Sequence, residues 1–318
     1  MRTANSEQRT ANSHNSDLKI LICYHKPYTT PPLDDGILLP IQGGKAISDD
    51  DFHMQGDNEL NGQPCDNISS KNAQYNEMTA VYWAWKNLKK LYPDVKYVGL
   101  CHYRRFFAFH ERKLFGTYIY APESAIQDYR ADAVKVREIL ESGRVIFAKR
   151  FTFPYSVYVQ YAVCHASWDY RTLREVIKEK FPDYYEAFID SMENSNKFLP
   201  CNMFIMKYDD FTKYCEWHFA VMAELEKHVN YSSYPTYQKR IFAFIAERLM
   251  NVYMTKHNVK PAYLNVYFYN GDGNLGGRLD NFPGFLRDSL RLLRRMVSYF
   301  KRELIFRLGI SRFGGRSW

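Results

Sequence analysis

The sequence predicts an α/β fold, an open mixed sheet flanked by helices, on three observations. Apolar runs of strand length alternate with stretches of helical periodicity. A strand, a loop rich in proline, a helix and a second strand follow one another early in the chain, the order of a βαβ unit. Hydrophobic residues make up 46% and aromatic residues 17% of 318 positions, enough apolar side chain for a large core.

"LKILICYH" (18–25) is the first strand, a continuous apolar run suited to a sheet covered on both faces. "KPYTTPPLDDG" then breaks regular structure. "DNISSKNAQYNEMTAVYWAWKNLKKLYPD" (66–94) reads as one helix, capped by Asn67 or Ser69 and closed at Pro93. The strand "VKYVGLC" follows it. "AVKVREILESG" reads as a helix, "RVIFAKR" as a short strand, and "SWDYRTLREVIKEKFPDYYEAFIDSM" as two helices hinged at Pro182. "CNMFIMKYDDF" is a strand leading into a helix that runs to about residue 228. "YQKRIFAFIAERLMNVYMTKH" (237–257) is a long helix, and "AYLNVYFY" a closing strand. Residues 1–17, polar and carrying "TANS" twice, read as a disordered leader. Residues 18–282 contain no Gly/Ser linker and read as one catalytic-sized domain, with 283–318 as a tail.

The net charge of +8 belongs to that tail. From Phe285 to Trp318 there are nine Lys and Arg against two acids, whereas the rest holds 34 against 33. A nearly neutral body argues against nucleic acid as a partner, which would want a basic face on the folded domain. Leu286, Leu290, Leu293, Val297, Phe300, Leu304 and Leu308 recur at helical spacing among arginines. This predicts a basic amphipathic helix that lies on an anionic membrane surface; packing on the protein's own core or on a second copy is the alternative. The six cysteines form no C-x-x-C, and residues 1–17 lack the apolar stretch of a signal peptide. The expected setting is therefore the cytoplasm, with free thiols, at the inner face of the cytoplasmic membrane. No run of 18 apolar residues is present.

There is no P-loop and no H-x-x-x-H, and "NGDGN" (270–274) reads as a turn. The strand "YVGLCHYRRFF" instead ends in His102, Tyr103, Arg104 and Arg105. Open α/β sheets bind ligands at the carboxyl ends of their strands, and arginine's fork matches phosphate oxygens. Salt bridging to neighbouring loops is the alternative. Strand alternation would turn His102 and Arg104 one way, toward the ligand, and Tyr103 and Arg105 the other, with Arg105 bracing a neighbouring loop, unless the chain turns at Tyr103. Asn72 and Asn76, one helical turn apart, could read a base or sugar edge, or simply belong to a solvated helix start. His165 and Asp169 are four apart, suited to a general base with an orienting partner if one helix carries both. Arg240 and Glu247, seven apart in the long helix, share a face and could form a buried ion pair.

"DNISSKNAQYNEMTAVYWAWKN", "YVGLCHYRRFF", "CNMFIMK" and "QKRIFAFIAERL" together resemble a bacterial family of capsular and exopolysaccharide biosynthesis proteins, long catalogued as a domain of unknown function and regarded as glycosyltransferase-like. The resemblance runs over about 18–268. It implies a GT-A-like fold and transfer of a hexose from a nucleotide-diphosphate sugar, expected to be a UDP-sugar, to a growing or lipid-linked capsular, exopolysaccharide or O-antigen acceptor. Some relatives are associated with galactofuranose. A non-catalytic scaffold of a polysaccharide assembly complex is the alternative. On this reading the donor and its diphosphate are expected at His102, Arg104, Arg105, Tyr24, His25, Asp66, Asn67, Asn72 and Asn76. Substrate binding is expected at Glu77, Asn202, Arg240 and Glu247, and catalysis at Asp169 with His165. The family's usual Asp-x-Asp, which holds Mn or Mg, has no counterpart on the matching strand. Asp49 and Asp51 fit the pattern only in a loop, so no metal ligand is assigned.

Overall fold

The computed structural model describes residues 17–114 and 116–269, with Leu293, Met296, Val297 and Phe300. The expected leader, the "NGDGN" turn and all of the tail but those four positions lie outside the described residues. By contacts the chain forms two compact units. The first comprises the described parts of Met1–Phe151, Leu199–Trp217 and Val259–Tyr269, the second Thr152–Phe198 and His218–Asn258 with the tail positions. The chain enters each unit more than once, so no linker exists for composition to reveal.

The first unit is built on a nine-stranded mixed sheet. Its strands are β1 (Leu18–Tyr24), β2 (Leu38–Gln42), β3 (Gln55–Gly56), β4 (Tyr97–His102), β5 (Arg105–Ala108), β6 (Tyr118–Tyr120), β7 (Arg144–Ala148), β8 (Phe204–Lys207) and β9 (Lys260–Phe268). Parallel pairing joins β1 to β2 and β4, as the βαβ order requires. On its other edge β4 pairs antiparallel with β8, Phe204 opposite Leu100, and at its end with β5, His102 opposite Arg105. Every residue of β1 and β4 is buried, which explains why both read as unbroken apolar runs rather than as alternating ones.

The helix expected over 66–94 is broken. A 3-10 turn (Ser69–Lys71) and a single α-turn (Asn72–Tyr75) precede α1 (Met78–Leu91), and Asn76 sits between them at φ 46, ψ −128. That conformation lies outside the helical region, so the polar start and the apolar "YWAWKNL" cannot belong to one rod. Asn67 does not cap a helix; its Oδ1 accepts from Ser69 N at 3.0 Å, an Asx turn that leads into the 3-10 turn, and neither that turn nor α1 has a side-chain cap. The helix α2 (Ala133–Glu141) forms as expected, its start capped by the Asp132 side chain.

The second unit is helical. It contains α3 (Val157–Cys164), α4 (Ser167–Lys180), α5 (Tyr185–Met192), the later part of α6 (Tyr208–Glu226), and α7 (Ile241–Lys256). Pro182 opens a 3-10 turn between α4 and α5, as its place in the sequence requires. Inside this unit Arg248 is 2% exposed, yet its charge is met. Its guanidinium donates to the Phe244 carbonyl at 2.7 Å, to Glu247 Oε2 at 2.9 Å and to Gln160 Oε1, and it lies 4.5 Å from the Phe198 ring centre.

Gly99, in the middle of β4, marks the tightest point of the sheet. A Cβ there would come within 2.8 Å of Ile205 Cγ1 and 3.0 Å of the Phe204 carbonyl. Gly99→Ala is therefore expected to cost about 1–3 kcal/mol through overpacking, read as a lower urea midpoint at unchanged slope.

Candidate functional site

The strand β4 does not run on through its polar cluster. It ends at His102, Tyr103 and Arg104 form a two-residue turn, and β5 returns from Arg105. The alternation expected for 102–105 is thereby overturned. His102 and Arg105 become cross-strand partners on the same side of the sheet, because paired residues face one way. The turn is fixed at both ends: Tyr103 N donates to the Cys23 carbonyl at 3.2 Å, and Tyr269 N donates to the Arg104 carbonyl at 3.0 Å.

His102 and Arg105 converge on the segment that leads into β8. His102 Nε2 lies in hydrogen-bond contact with the Cys201 carbonyl. The Tyr118 hydroxyl is 3.1 Å from Cys201 Sγ, and Asn202 Nδ2 donates to Glu77 Oε1 at 2.8 Å. Burial works against the Arg105 charge, but Cys201, Tyr118 and Glu77 around it outweigh that effect and hold its pKa above the ordinary arginine value. Three side-chain atoms here are buried and lack a hydrogen-bond partner among the described residues: Nε of Arg104, Nε of Arg105 and Oδ1 of Asn202. Three backbone positions are held at positive φ in the same neighbourhood, namely Asn76 (46°), Cys201 (68°) and Asn202 (51°). Strain of this kind costs about 1–3 kcal/mol per residue and clusters where function requires it.

The other residues expected on the donor side divide into two groups. Those at the end of β1 meet the turn. His25 is exposed and stands edge-on to Tyr103, ring centres 4.7 Å apart. Tyr24 is fully buried and donates to the Thr29 carbonyl at 3.2 Å, and burial raises its pKa to about 12. Lys26 and Tyr28, not singled out by sequence reasoning, complete an aromatic and cationic patch around Tyr103. The second group is committed to structure. Asn72 Nδ2 donates to the Asn76 carbonyl and to Thr79 Oγ1, each at 2.8 Å, closing the broken turn. Asp66 is exposed and accepts from the Tyr82 hydroxyl at 3.1 Å.

Asp57, which sequence reasoning missed, is the buried carboxylate that holds this region. It is 0% exposed and accepts from Gly44 N at 2.8 Å, Lys45 N at 3.1 Å and the Ser69 hydroxyl. It joins the loop after β2 to the turn before α1. Gly44 sits at φ 74 with Asn72 against it, and a Cβ there would lie 2.7 Å from Asn72 Cγ.

His165 and Asp169 belong to the second unit and do not share a helix. The helix α3 ends at Cys164, His165 is extended, and α4 begins at Ser167. The apolar run before His165 and the polar one after it are two helices meeting at a corner. The His165 ring stacks on Phe244, centres 3.9 Å apart. Asp169 is 1% exposed and accepts from the Tyr234 hydroxyl at 2.7 Å, while Trp168 Nε1 donates to the same hydroxyl. Burial pushes the Asp169 carboxyl up to about 8, and the Tyr234 hydrogen bond only partly opposes this. Arg240 and Glu247 are not a helical pair either. Arg240 precedes α7 in a 3-10 turn, exposed beside the Tyr237 and Phe244 rings, whereas Glu247 pairs with Arg248.

A family model described as "Domain of unknown function (DUF4422)" matches residues 19–258. The chain belongs to this family. No curated protein matches it significantly. Among solved structures, the apo form of the bifunctional glycosyltransferase WbbM is similar, with a TM-score of 0.68 and 27% identity over 83% of this chain. The match covers 48% of WbbM, so this DUF4422 chain spans about half the length of that protein. The mixed sheet with flanking helices is thus an architecture shared with a glycosyltransferase.

Among the described residues of this DUF4422 protein, no three His, Cys, Asp or Glu side chains come together as a metal site. Asp49 and Asp51 are exposed, and Asp51 is tied to Lys45 at 3.1 Å and to the His53 backbone N at 3.0 Å, which lowers its pKa. These two residues do not fit a divalent ion on a diphosphate.

Asp169 yields a stability test. Its folded pKa is raised, so between about pH 4 and pH 8 the folded state keeps a proton that the unfolded chain releases. Wild-type stability from this group therefore falls as pH rises through that window. Asp169→Asn keeps the acceptor for Tyr234 without the titration, and its Tm relative to wild type should climb from pH 4 to pH 8.

Proposed function

We propose that this protein is a glycosyltransferase that moves a hexose from a UDP-sugar to a growing or lipid-linked bacterial polysaccharide. The observation that carries the reading is the group of buried, unpartnered polar atoms on Arg104, Arg105 and Asn202 beside strained backbone at the strand ends. Buried polar groups without partners are rare, and three of them where β4 turns into β5, beside the segment leading into β8, favour a polar ligand. The likeness to a glycosyltransferase of known structure supports the choice of ligand class.

As the glycosidic bond breaks, the departing nucleoside diphosphate gains negative charge. Arg105, with Arg104 and His102, offers fixed positive charge and hydrogen-bond donors to that leaving group, and preorganised donors of this kind are worth about 10²–10³ in kcat. His25, Lys26, Tyr28 and Tyr103 supply rings and a cation for the remainder of the nucleotide. The acceptor hydroxyl must lose a proton to a base; the carboxylate expected from sequence, Asp169, belongs to the second unit and accepts from Tyr234.

The tail is proposed to hold the enzyme on the anionic inner face of the cytoplasmic membrane, where lipid-linked acceptors are found. Leu293, Met296, Val297 and Phe300 are helical and 40–61% exposed, at the spacing of one helix face. No helix among the described residues is long and apolar enough to cross a membrane.

Calorimetry against UDP-, GDP-, dTDP- and CMP-sugars tests the central assignment. At least one donor should bind, and Arg105→Ala should weaken it about 10- to 100-fold, the worth of a charge-assisted hydrogen bond. Arg104→Ala should cost less, since that guanidinium rests 4.9 Å from the Tyr103 ring centre. Failure of every donor to bind would leave the scaffold reading. Truncation before Pro283 should release the protein from vesicles containing phosphatidylglycerol without changing donor affinity, whereas unchanged vesicle binding would contradict the role of the tail.

A further inference from the structure

Asn202 differs from the other polar residues of the site in that chemistry fixes which way its amide faces. Its side chain is 5% exposed, and Nδ2 donates to Glu77 Oε1 at 2.8 Å. An ionised carboxylate can only accept, so the NH₂ end must face Glu77 and the carbonyl end must face away. That carbonyl oxygen, Oδ1, is buried and has no hydrogen-bond partner among the described residues. Leaving such an acceptor unpaired costs about 1–3 kcal/mol. The backbone adds to the cost, since Cys201 and Asn202 are both held at positive φ.

The missing partner must be a donor. A phosphate oxygen would meet a carbonyl dipole with a carboxylate behind it, whereas the guanidinium Nε of Arg105 has the opposite requirement. A nucleotide sugar carries both kinds of group, acceptor-rich phosphates and hydroxyls that donate.

We propose that Asn202 Oδ1 reads a hydroxyl of the bound nucleotide sugar, with Glu77 as the positioning residue that aims it. This rests on the nucleotide-sugar reading above. The hydroxyl comes either from the transferred hexose or from the ribose, and the chemistry at Asn202 is the same in both cases. Sites built to hydrogen-bond a hydroxyl reject analogues lacking it, because the protein group is then stranded. Asn202 is thus a specificity-determining residue, separate from the cations that hold the diphosphate.

The test is calorimetric titration of the full chain with UDP, UDP-glucose, UDP-galactose, UDP-galactofuranose, the mono-deoxy forms of each hexose, and 2′-deoxy- and 3′-deoxy-UDP. Wild type should bind one hydroxylated ligand at least tenfold tighter than its deoxy counterpart. A hexose-deoxy penalty places the hydroxyl on the transferred sugar, and a ribose-deoxy penalty places it on the nucleotide. Asn202→Gly, chosen because glycine accepts φ near 51° without strain, should bind both members of that pair with equal affinity. Glu77→Gln can present either end of its amide to Asn202, so it should narrow the discrimination between the hydroxylated ligand and its deoxy counterpart. Thermal unfolding of each variant shows whether the fold is kept. Wild type that binds nucleotide sugars but ignores every deoxy change, or Asn202→Gly that still discriminates, overturns the assignment to Asn202 alone. Absence of binding to any of these ligands overturns the UDP-sugar reading with it.

Discussion

The two-residue reversal at Tyr103–Arg104 is the constraint on which the site depends. Without it, a buried parallel strand would carry two arginines outward on opposite faces. With it, His102 and Arg105 stand side by side, and hydrogen bonds to Cys23 of β1 and from Tyr269, just after β9, hold the turn at both ends. The reversal explains how a central strand that is wholly apolar up to Cys101 can present cations at its end. It also brings the β8 approach, with Cys201 and Asn202, against the same point.

Burying polar groups there is costly, and the surrounding network shows where the cost is met. Asp57 satisfies two backbone amides and a hydroxyl below the loop after β2. Asn72 closes the broken helical turn that delivers Glu77. These satisfied groups are rigid supports. Three unsatisfied atoms, on Arg104, Arg105 and Asn202, lie together at the strand end. That grouping suits an incoming polar ligand.

Much of the fold was legible because strands and helices wrote strong periodicities. "LKILICYH", "AVKVREILESG" and the Pro182 hinge form elements close to those read from sequence. The misses have a common cause in local geometry that composition does not encode. Asn76 breaks a helix whose residues otherwise favour one, because tertiary contacts hold a conformation that propensity would not choose. His165 and Asp169 matched a helical spacing, yet a corner falls between them. Strands β2, β3, β5 and β6 went unread, the last three being only two, four and three residues long. The cationic cluster was visible at once, but which arginine faces the site follows from the turn. Asp57 left no signal beyond a turn-rich stretch, and only its three donors reveal it.

The most direct measurement is a crystal structure of the protein with UDP. The account predicts a diphosphate oxygen within about 3 Å of the Arg105 guanidinium, a hydrogen-bonding distance, at the carboxyl end of β4. A diphosphate bound elsewhere, with Arg105 left untouched, would contradict it.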